Sequence, residues 1–182
     1  GANFGELKKI IGSYKNHFST TSVQNVDAMF KIAGGIYGTD LLPDDAAKII
    51  SIYCKNINTL EGLNELTDLS IKTIHALKDT KLNIKDIYSF IKNYPFIENL
   101  AKAEKLIIPT ITATKNTNMS INDICLILKE CKEFYLANPE NQYVSELALP
   151  LINSMKGSNA KIKDVLRLTN SYYQSSGCKD VK

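Results

Sequence analysis

The sequence predicts an all-α fold and, within that class, an α-solenoid of about four and a half helical hairpins with a period of 37–41 residues. The first supporting observation is a helix-opening pattern that recurs along the chain at near-constant spacing. The second is an apolar pattern that keeps a fixed distance to each recurrence. The third is that no segment has a convincing strand-like alternation of apolar and polar residues.

The helix-opening pattern consists of a cap residue, an apolar residue, any residue, an acid, another apolar residue, two of any kind and two further apolar residues. It reads NIKDIYSFI at 83–91, SINDICLIL at 120–128, KIKDVLRLT at 161–169 with a weaker cap, NFGELKKII at 3–11 and LPDDAAKII at 42–50. Such a pattern is a capping box, in which the cap side chain accepts an N–H of the first turn and the acid reaches back. Because the five copies are spaced by 39, 41, 37 and 41 residues, they predict a duplicated unit.

The second half of each unit repeats as well. Twelve residues before each later cap the residue is large and apolar: Phe30, Ile71, Ile108 and Leu149. Nine residues before the cap it is again apolar: Ala33, Ile74, Ile111 and Ile152. Seven residues before the cap it is small: Gly35, Ala76, Ala113 and Ser154. Two units share a proline eleven residues before the cap, Pro109 and Pro150. A proline inside a helix costs about 3 kcal/mol, so a shared one is hard to obtain by chance.

Each unit is therefore predicted to be a pair of helices, A and B. The predicted A helices span 3–18, 43–57, 83–94, 120–137 and 161–174, and the predicted B helices span 22–37, 60–79, 97–115 and 140–156. We expect one helical-repeat domain over 1–174 and a polar C-terminal tail over 175–182. The last A helix has no B partner, which fits either a cap or the end of a truncated array.

Composition limits the classes of function. The net charge of +3 permits contact with nucleic acid without requiring it, and Arg167 is the only arginine among 22 basic residues. No apolar run approaches 18 residues, so we expect no membrane insertion. The four cysteines form no CxxC pair and predict buried thiols in a reducing compartment, except for Cys178, which we expect to be exposed and reactive in the tail.

The sequence does not favour catalysis. It contains neither GxSxG nor a Walker pattern, and the two histidines, His17 and His75, have no ligand spacing to a cysteine. We expect His75 to be a packing or surface residue. The recurrent acids Asp45, Asp86, Asp123 and Asp164 lie about forty residues apart, and we expect them to cap helices rather than to meet at one site. We therefore predict no catalytic residue, no metal site and no small-molecule cofactor.

Two rows of polar residues are candidates for binding. Lys78, Lys115 and Lys156 stand five residues before successive caps, with Tyr37 at that position in the first unit, and Lys85, Asn122 and Lys163 stand at the second helical position. One interpretation is a ladder of charges along a phosphate backbone. The other is that lysine near a helix C-terminus offsets the helix dipole and caps free carbonyls. We predict that these seven residues form an RNA-facing edge.

The motif in SINDICLIL and NIKDIYSFI resembles the repeats of heptatricopeptide and octotricopeptide proteins, and it is similar to the helical region of FAST-kinase-like proteins. The resemblance implies RNA binding and RNA processing or ribosome assembly in mitochondria or plastids, and hence a place in the mitochondrial matrix. The partner expected from it is single-stranded RNA or a ribonucleoprotein. A protein-binding scaffold is the alternative, as an accessory subunit of a mitochondrial assembly such as the ribosome, a respiratory complex or ATP synthase.

Overall fold

The computed structural model describes residues 4–15, 22–57, 62–93, 99–134 and 147–175, and in these ranges the regular structure is α-helical. The helices are α1 (Phe4–Lys15), α2 (Ser22–Ile36), α3 (Pro43–Asn56), α4 (Leu63–Leu77), α5 (Ile84–Asn93), α6 (Leu100–Ala113), α7 (Ile121–Phe134), α8 (Leu149–Ser154) and α9 (Ile162–Ser175). Odd-numbered helices correspond to the predicted A helices and even-numbered ones to the predicted B helices. The all-α class is thus confirmed for the described chain.

The predicted boundaries agree to within a few residues where the structure describes both ends. The start of the B helix predicted over 140–156 lies outside the described residues, as do Cys178 and all but Ser175 of the tail predicted over 175–182. The two shared prolines differ in setting. Pro109 lies inside α6, as predicted, whereas Pro150 lies in the first turn of α8. A wider helical turn at Leu147 and Ala148 runs directly into α8 before Pro150.

The chain separates into two compact units, residues 1–115 and 116–182. In the first unit, α1, α3 and α5 pack side by side in one layer, and α2, α4 and α6 pack side by side in the other. Each A helix also contacts the B helix that follows it, which makes the pairs α1–α2, α3–α4 and α5–α6. In the second unit, α7 packs against α8 and α9. The single domain over 1–174 stays a prediction.

The core of the first unit lies between its two layers. Its largest fully buried side chains include Tyr14, Tyr53, Phe90, Ile32 and Leu66. The A helices supply the aromatic residues and the B helices supply mainly aliphatic ones, because each helix turns one apolar stripe toward the other layer.

The predicted capping acids bond as the pattern requires in three helices. Asp45 Oδ2 accepts the Leu42 N–H at 3.1 Å, and Asp86 Oδ2 accepts the Asn83 N–H at 2.6 Å. Asp123 Oδ2 accepts the Ser120 N–H at 3.0 Å, and Ser120 Oγ in turn accepts the Asp123 N–H at 3.3 Å. The Leu42 side chain cannot accept a hydrogen bond, so in α3 only the bond from the Leu42 N–H to the Asp45 carboxylate is formed. Pro43 occupies the first helical position, where its missing N–H costs nothing. Capping is thus confirmed as the role of Asp45, Asp86 and Asp123.

The structure adds a repeated turn that the sequence patterns did not predict. The four described residues with positive φ each lie four residues before a cap: Gly38 (77°), Asp79 (63°), Asn116 (62°) and Gly157 (69°). The hydroxyl of the next residue then accepts a backbone N–H, in the pairs Thr39–Leu41, Thr80–Leu82, Thr117–Met119 and Ser158–Ala160. Every described B helix therefore ends in a left-handed residue and enters the next A helix through the same hydroxyl-braced turn.

The small residue of the repeat permits close helix approach in the first unit. A Cβ built on Gly35 of α2 would lie 3.0 Å from Cγ1 of Ile71 on α4. His75 Nε2, one turn further along α4, lies 3.0 Å from the Gly35 carbonyl oxygen. His75 is an exposed residue that bridges two B helices through this contact, which is consistent with the predicted packing or surface role.

Candidate functional site

An open groove of about 860 Å³ lies between α3 and α5 in the first unit. Its lining residues are Asp45, Lys48, Ser51, Ile52, Lys55 and Asn56 from α3, and Asn83, Ile84, Lys85, Tyr88 and Ser89 from α5 and its cap. The groove exists because two A helices pack side by side with polar and small side chains on their outer faces, while their apolar stripes turn toward the B layer.

The groove carries excess positive charge. Lys48, Lys55 and Lys85 are exposed in it, and among the described residues that line it Asp45 is the one acid. Asp45 is already engaged, since Oδ1 lies 3.2 Å from Lys48 Nζ and Oδ2 accepts a backbone N–H. Within the described ranges, Lys55 and Lys85 take part in no ion pair. Two ammonium groups are therefore left for an anionic ligand.

Between α1 and α3, at the repeat positions equivalent to those of the groove, the positive charge is neutralised by an ion pair. Lys9, six residues after its cap, places Nζ 2.8 Å from Oδ1 and 2.9 Å from Oδ2 of Asp44, which lies two residues after the next cap. The residues at these two repeat positions between α3 and α5 are Lys48 and Lys85. An ion pair at one interface is thus replaced by two like charges at the next, a substitution that favours an anionic ligand in the second groove.

The remaining lining residues offer an aromatic ring and amides. The Tyr88 side chain is 47 % exposed, which is unusual among the large apolar residues of α5, since Ile87 and Phe90 are fully buried. Asn83 Oδ1 accepts the Lys85 N–H at 2.9 Å, and Asn56 Nδ2 donates to the Ile52 carbonyl at 2.7 Å. Each of these two amides keeps its other hydrogen-bonding atom for a ligand.

The predicted binding residues fall into separate places. Of the seven, Lys85 lines the groove between α3 and α5. Tyr37, Lys78 and Lys115 lie in the turns that follow α2, α4 and α6, directly before the left-handed residue, and they are not among the lining residues. Tyr37 is 91 % exposed, Lys78 is exposed and Lys115 is half-buried.

The other three predicted residues belong to the second unit. Lys156 occupies the matching turn after α8 and is exposed, as are Asn122 on α7 and Lys163 on α9. Lys163 lines a smaller cavity of about 340 Å³, together with Asn118, Asp123 and Lys161. Asn122 and Lys156 are not among the residues that line it.

The sequence patterns did not point to Lys48, Lys55 or Tyr88. The signal that could have found Lys48 is its register with Lys9, six residues after a cap, combined with the change from Asp44 to Lys85 at the partner position. Lys55 and Tyr88 have no counterpart of that kind. They are found only when α3 and α5 are seen side by side.

Two of the described cysteines, Cys54 and Cys131, are buried and poor nucleophiles. Burial raises the pKa of the Cys54 thiol to about 11 and that of Cys131 to about 12, so both remain protonated near neutral pH. In the described ranges, no group of three or more His, Cys, Asp or Glu side chains is arranged to hold a metal ion. In those ranges, none of the helices has the length and apolarity needed to span a membrane.

Comparison with known proteins gives no match, whether the chain is set against family models, curated proteins or solved structures. The protein is therefore described by its architecture alone. In the described ranges it is an all-α protein of repeated helix pairs, with a lysine-rich groove between α3 and α5.

Proposed function

We propose that this chain is a non-catalytic helical-repeat module, built as an α-solenoid, that binds single-stranded RNA in the groove between α3 and α5. The observation that carries the proposal is the position of Lys48, Lys55 and Lys85 around the exposed ring of Tyr88. Phosphates along a strand are neutralised by such ammonium groups, and an unpaired base stacks on an exposed aromatic ring.

The chemistry of the groove favours contact with the RNA backbone over selection of a sequence. Lysine acts as a point charge on phosphate and lacks the two-pronged geometry with which arginine recognises guanine. The amides of Asn56 and Asn83 and the hydroxyl of Ser51 can bond base edges or 2′-hydroxyls. We therefore expect strong dependence on salt and weak dependence on base sequence.

The predicted lysines support the RNA proposal unequally. Lys78 and Lys156 lie at B-helix C-termini, where a lysine also offsets the helix dipole, so their positions have a sufficient local explanation. Lys85 lies in the first turn of α5, where the dipole disfavours a cation. A ligand anion accounts for its placement better than helix stability does.

The proposal includes an organellar location. The resemblance of the helix-opening motif to heptatricopeptide and octotricopeptide repeats supports a role in RNA metabolism of the mitochondrial matrix. Fluorescence microscopy of the full-length protein carrying a C-terminal tag checks this directly. A signal that does not coincide with a matrix marker would overturn the mitochondrial part and leave the groove's function open.

Fluorescence anisotropy with a labelled single-stranded RNA of about 20 nucleotides, repeated at several salt concentrations, tests the function. We expect log affinity to fall linearly with log salt, with a slope of about −0.7 for each phosphate neutralised. Lys55→Glu/Lys85→Glu should weaken binding at least tenfold and flatten that slope. Neither lysine forms an ion pair within the described ranges, so the folded state loses no such contact.

The matched control is Lys105→Glu/Lys129→Glu, which changes the net charge by the same amount at two exposed helix positions outside the groove. It should weaken binding far less. Tyr88→Ala should lower affinity by about 1–3 kcal/mol, the range for base stacking on an aromatic side chain. Weak binding at all salt concentrations, or equal losses in both double variants, would overturn the RNA proposal and favour the protein-scaffold alternative.

A further inference from the structure

The groove between α3 and α5 extends along almost the whole of α3. Its α3 wall begins at Asp45 in the first turn of the helix and ends at Asn56, the last helical residue. With a rise of 1.5 Å per residue, this wall is about 16 Å long. The α5 wall begins at the cap residue Asn83 and continues to Ser89. The long axis of the groove therefore follows the two helices.

The lysines of the groove are distributed along this axis. Between α1 and α3, the ion pair of Lys9 with Asp44 shows that these two repeat positions meet. Lys48 and Lys85 hold the same positions on α3 and α5 and both line the groove, so they belong to one level of it. Lys55 follows Lys48 by two helical turns, or about 10 Å along the axis. Positive charge therefore continues lengthwise between the two helices.

Positive charge does not continue across the repeats in the part of the first unit that the structure describes. At the second helical position, α3 has Asp44 where α5 has Lys85. Six residues after the cap, Lys9 and Lys48 each lie in an ion pair with an aspartate, at 2.8 Å and 3.2 Å. A phosphate backbone that crossed from α5 to α1 would therefore meet an acid and lysines that are already neutralised.

We propose that the RNA strand lies lengthwise in the groove, parallel to α3 and α5, and that the site holds no more than about five nucleotides. This inference rests on the proposed function of the groove. A stacked strand rises by about 3.4 Å per nucleotide, so a wall of about 16 Å covers about five nucleotides, and an extended strand covers fewer.

The position of Tyr88 fits this path. It lies one helical turn after Lys85 on α5, so the base that stacks on its ring lies between the phosphates at Lys85 and Lys55. The ligand is thus a short single-stranded segment held by one groove, and not a long strand contacted repeat by repeat.

Fluorescence anisotropy with oligouridylates of about 3, 5, 10 and 20 nucleotides, each at several salt concentrations, tests the path. The slope of log affinity against log salt counts the phosphates neutralised, at about −0.7 each. We expect the slope to steepen up to about five nucleotides and then to stay near −1.4 to −2.1, the value for two or three lysines. Lys55→Gln and Lys85→Gln, made singly, should each flatten it by about 0.7, because each removes one phosphate contact.

The control is Lys78→Ala/Lys115→Ala, which removes two lysines of the row that a strand crossing the repeats would follow. It should leave the slope unchanged at every length, and circular dichroism should show equal helix content in all variants. A slope that keeps steepening beyond about five nucleotides, or one that this control flattens, would overturn the lengthwise path while RNA binding itself stands. Absence of binding at every length would instead overturn the proposed function, and the path with it.

Discussion

The phenol oxygen of Tyr53 lies 2.6 Å from the hydroxyl oxygen of Thr73, and both side chains are fully buried. Thr73 Oγ1 also donates to the Leu69 carbonyl at 2.8 Å, so its proton is already used and Tyr53 must be the donor of the shared bond. Tyr14 and Thr67 repeat the arrangement at 3.2 Å, with Thr67 donating to the Leu63 carbonyl. The first bond joins α3 to α4 within a hairpin, and the second joins α1 to the following hairpin.

Tyr53→Phe should destabilise the fold by about 0.5–1.5 kcal/mol, the usual net value of a buried hydrogen bond. The loss stays modest because the Thr73 hydroxyl keeps its bond to Leu69 and the ring still fills its site. Tyr14→Phe should cost less, since its bond is longer. Urea denaturation followed by circular dichroism measures both, and a larger loss for Tyr14→Phe would contradict the ranking.

Alkaline pH should destabilise the protein through these same two residues. Burial raises the pKa of both Tyr14 and Tyr53 above their ordinary value near 10. A raised folded-state pKa means that the stabilisation is fully present below pH 10 and is lost as pH rises above it, because ionisation then favours the unfolded chain. Each buried tyrosine adds up to about 1.4 kcal/mol of loss per pH unit in that window.

The difference between wild type and Tyr53→Phe isolates this effect from the titration of lysines. We expect the wild-type free energy of unfolding to fall more steeply than that of Tyr53→Phe between pH 10 and 11. Parallel pH profiles for the two proteins would show that Tyr53 does not ionise on unfolding in this range.

Two adjacent glycines of α2 should respond in opposite ways to alanine. Gly34 has open space around a built Cβ, so Gly34→Ala should stabilise α2 by up to about 1 kcal/mol through helix propensity. At Gly35 the new methyl would meet Ile71 at 3.0 Å, and such overpacking costs about 1–3 kcal/mol. Thermal unfolding of both variants checks this, and equal stabilisation by the two substitutions would contradict the close packing of α2 on α4.

The left-handed position of the repeated turn should tolerate glycine and resist alanine. Gly157 has φ 69° and nothing within 4 Å of a built Cβ, so Gly157→Ala should cost about 1–2 kcal/mol through backbone conformation alone. Asn116→Gly, at the same repeat position with φ 62°, should change stability by about 0.5 kcal/mol or less, because relief of strain is offset by greater freedom when unfolded. Calorimetry distinguishes the two, and a neutral Gly157→Ala would contradict the strained turn.

Much of the secondary structure follows from local signals in the sequence. The acids at the third helical position, Asp45, Asp86 and Asp123, bond to backbone N–H groups only three residues away, so the pattern itself contains both partners. The apolar stripes are equally local, since one helix face is defined within a few turns. The repeated turn was missed because Gly, Asp and Asn share a left-handed tendency that no single residue type reveals.

The candidate site depended on long-range geometry. Lys85 was selected for its register at the second helical position, and it does line the groove. Tyr37, Lys78 and Lys115 were chosen for a shared register, and they lie instead in the turns after the B helices. A register says which residues are equivalent, but it does not say which grooves open between neighbouring helices.

The sequence by itself determined that this chain forms paired helices, where most of them begin, and which acids cap them, because capping and amphipathic periodicity act over three to seven residues. Only the tertiary structure decided that Lys48, Lys55, Lys85 and Tyr88 share one groove. That outcome depends on which helix faces meet, and side chains thirty or more residues apart become neighbours only once the helices have packed.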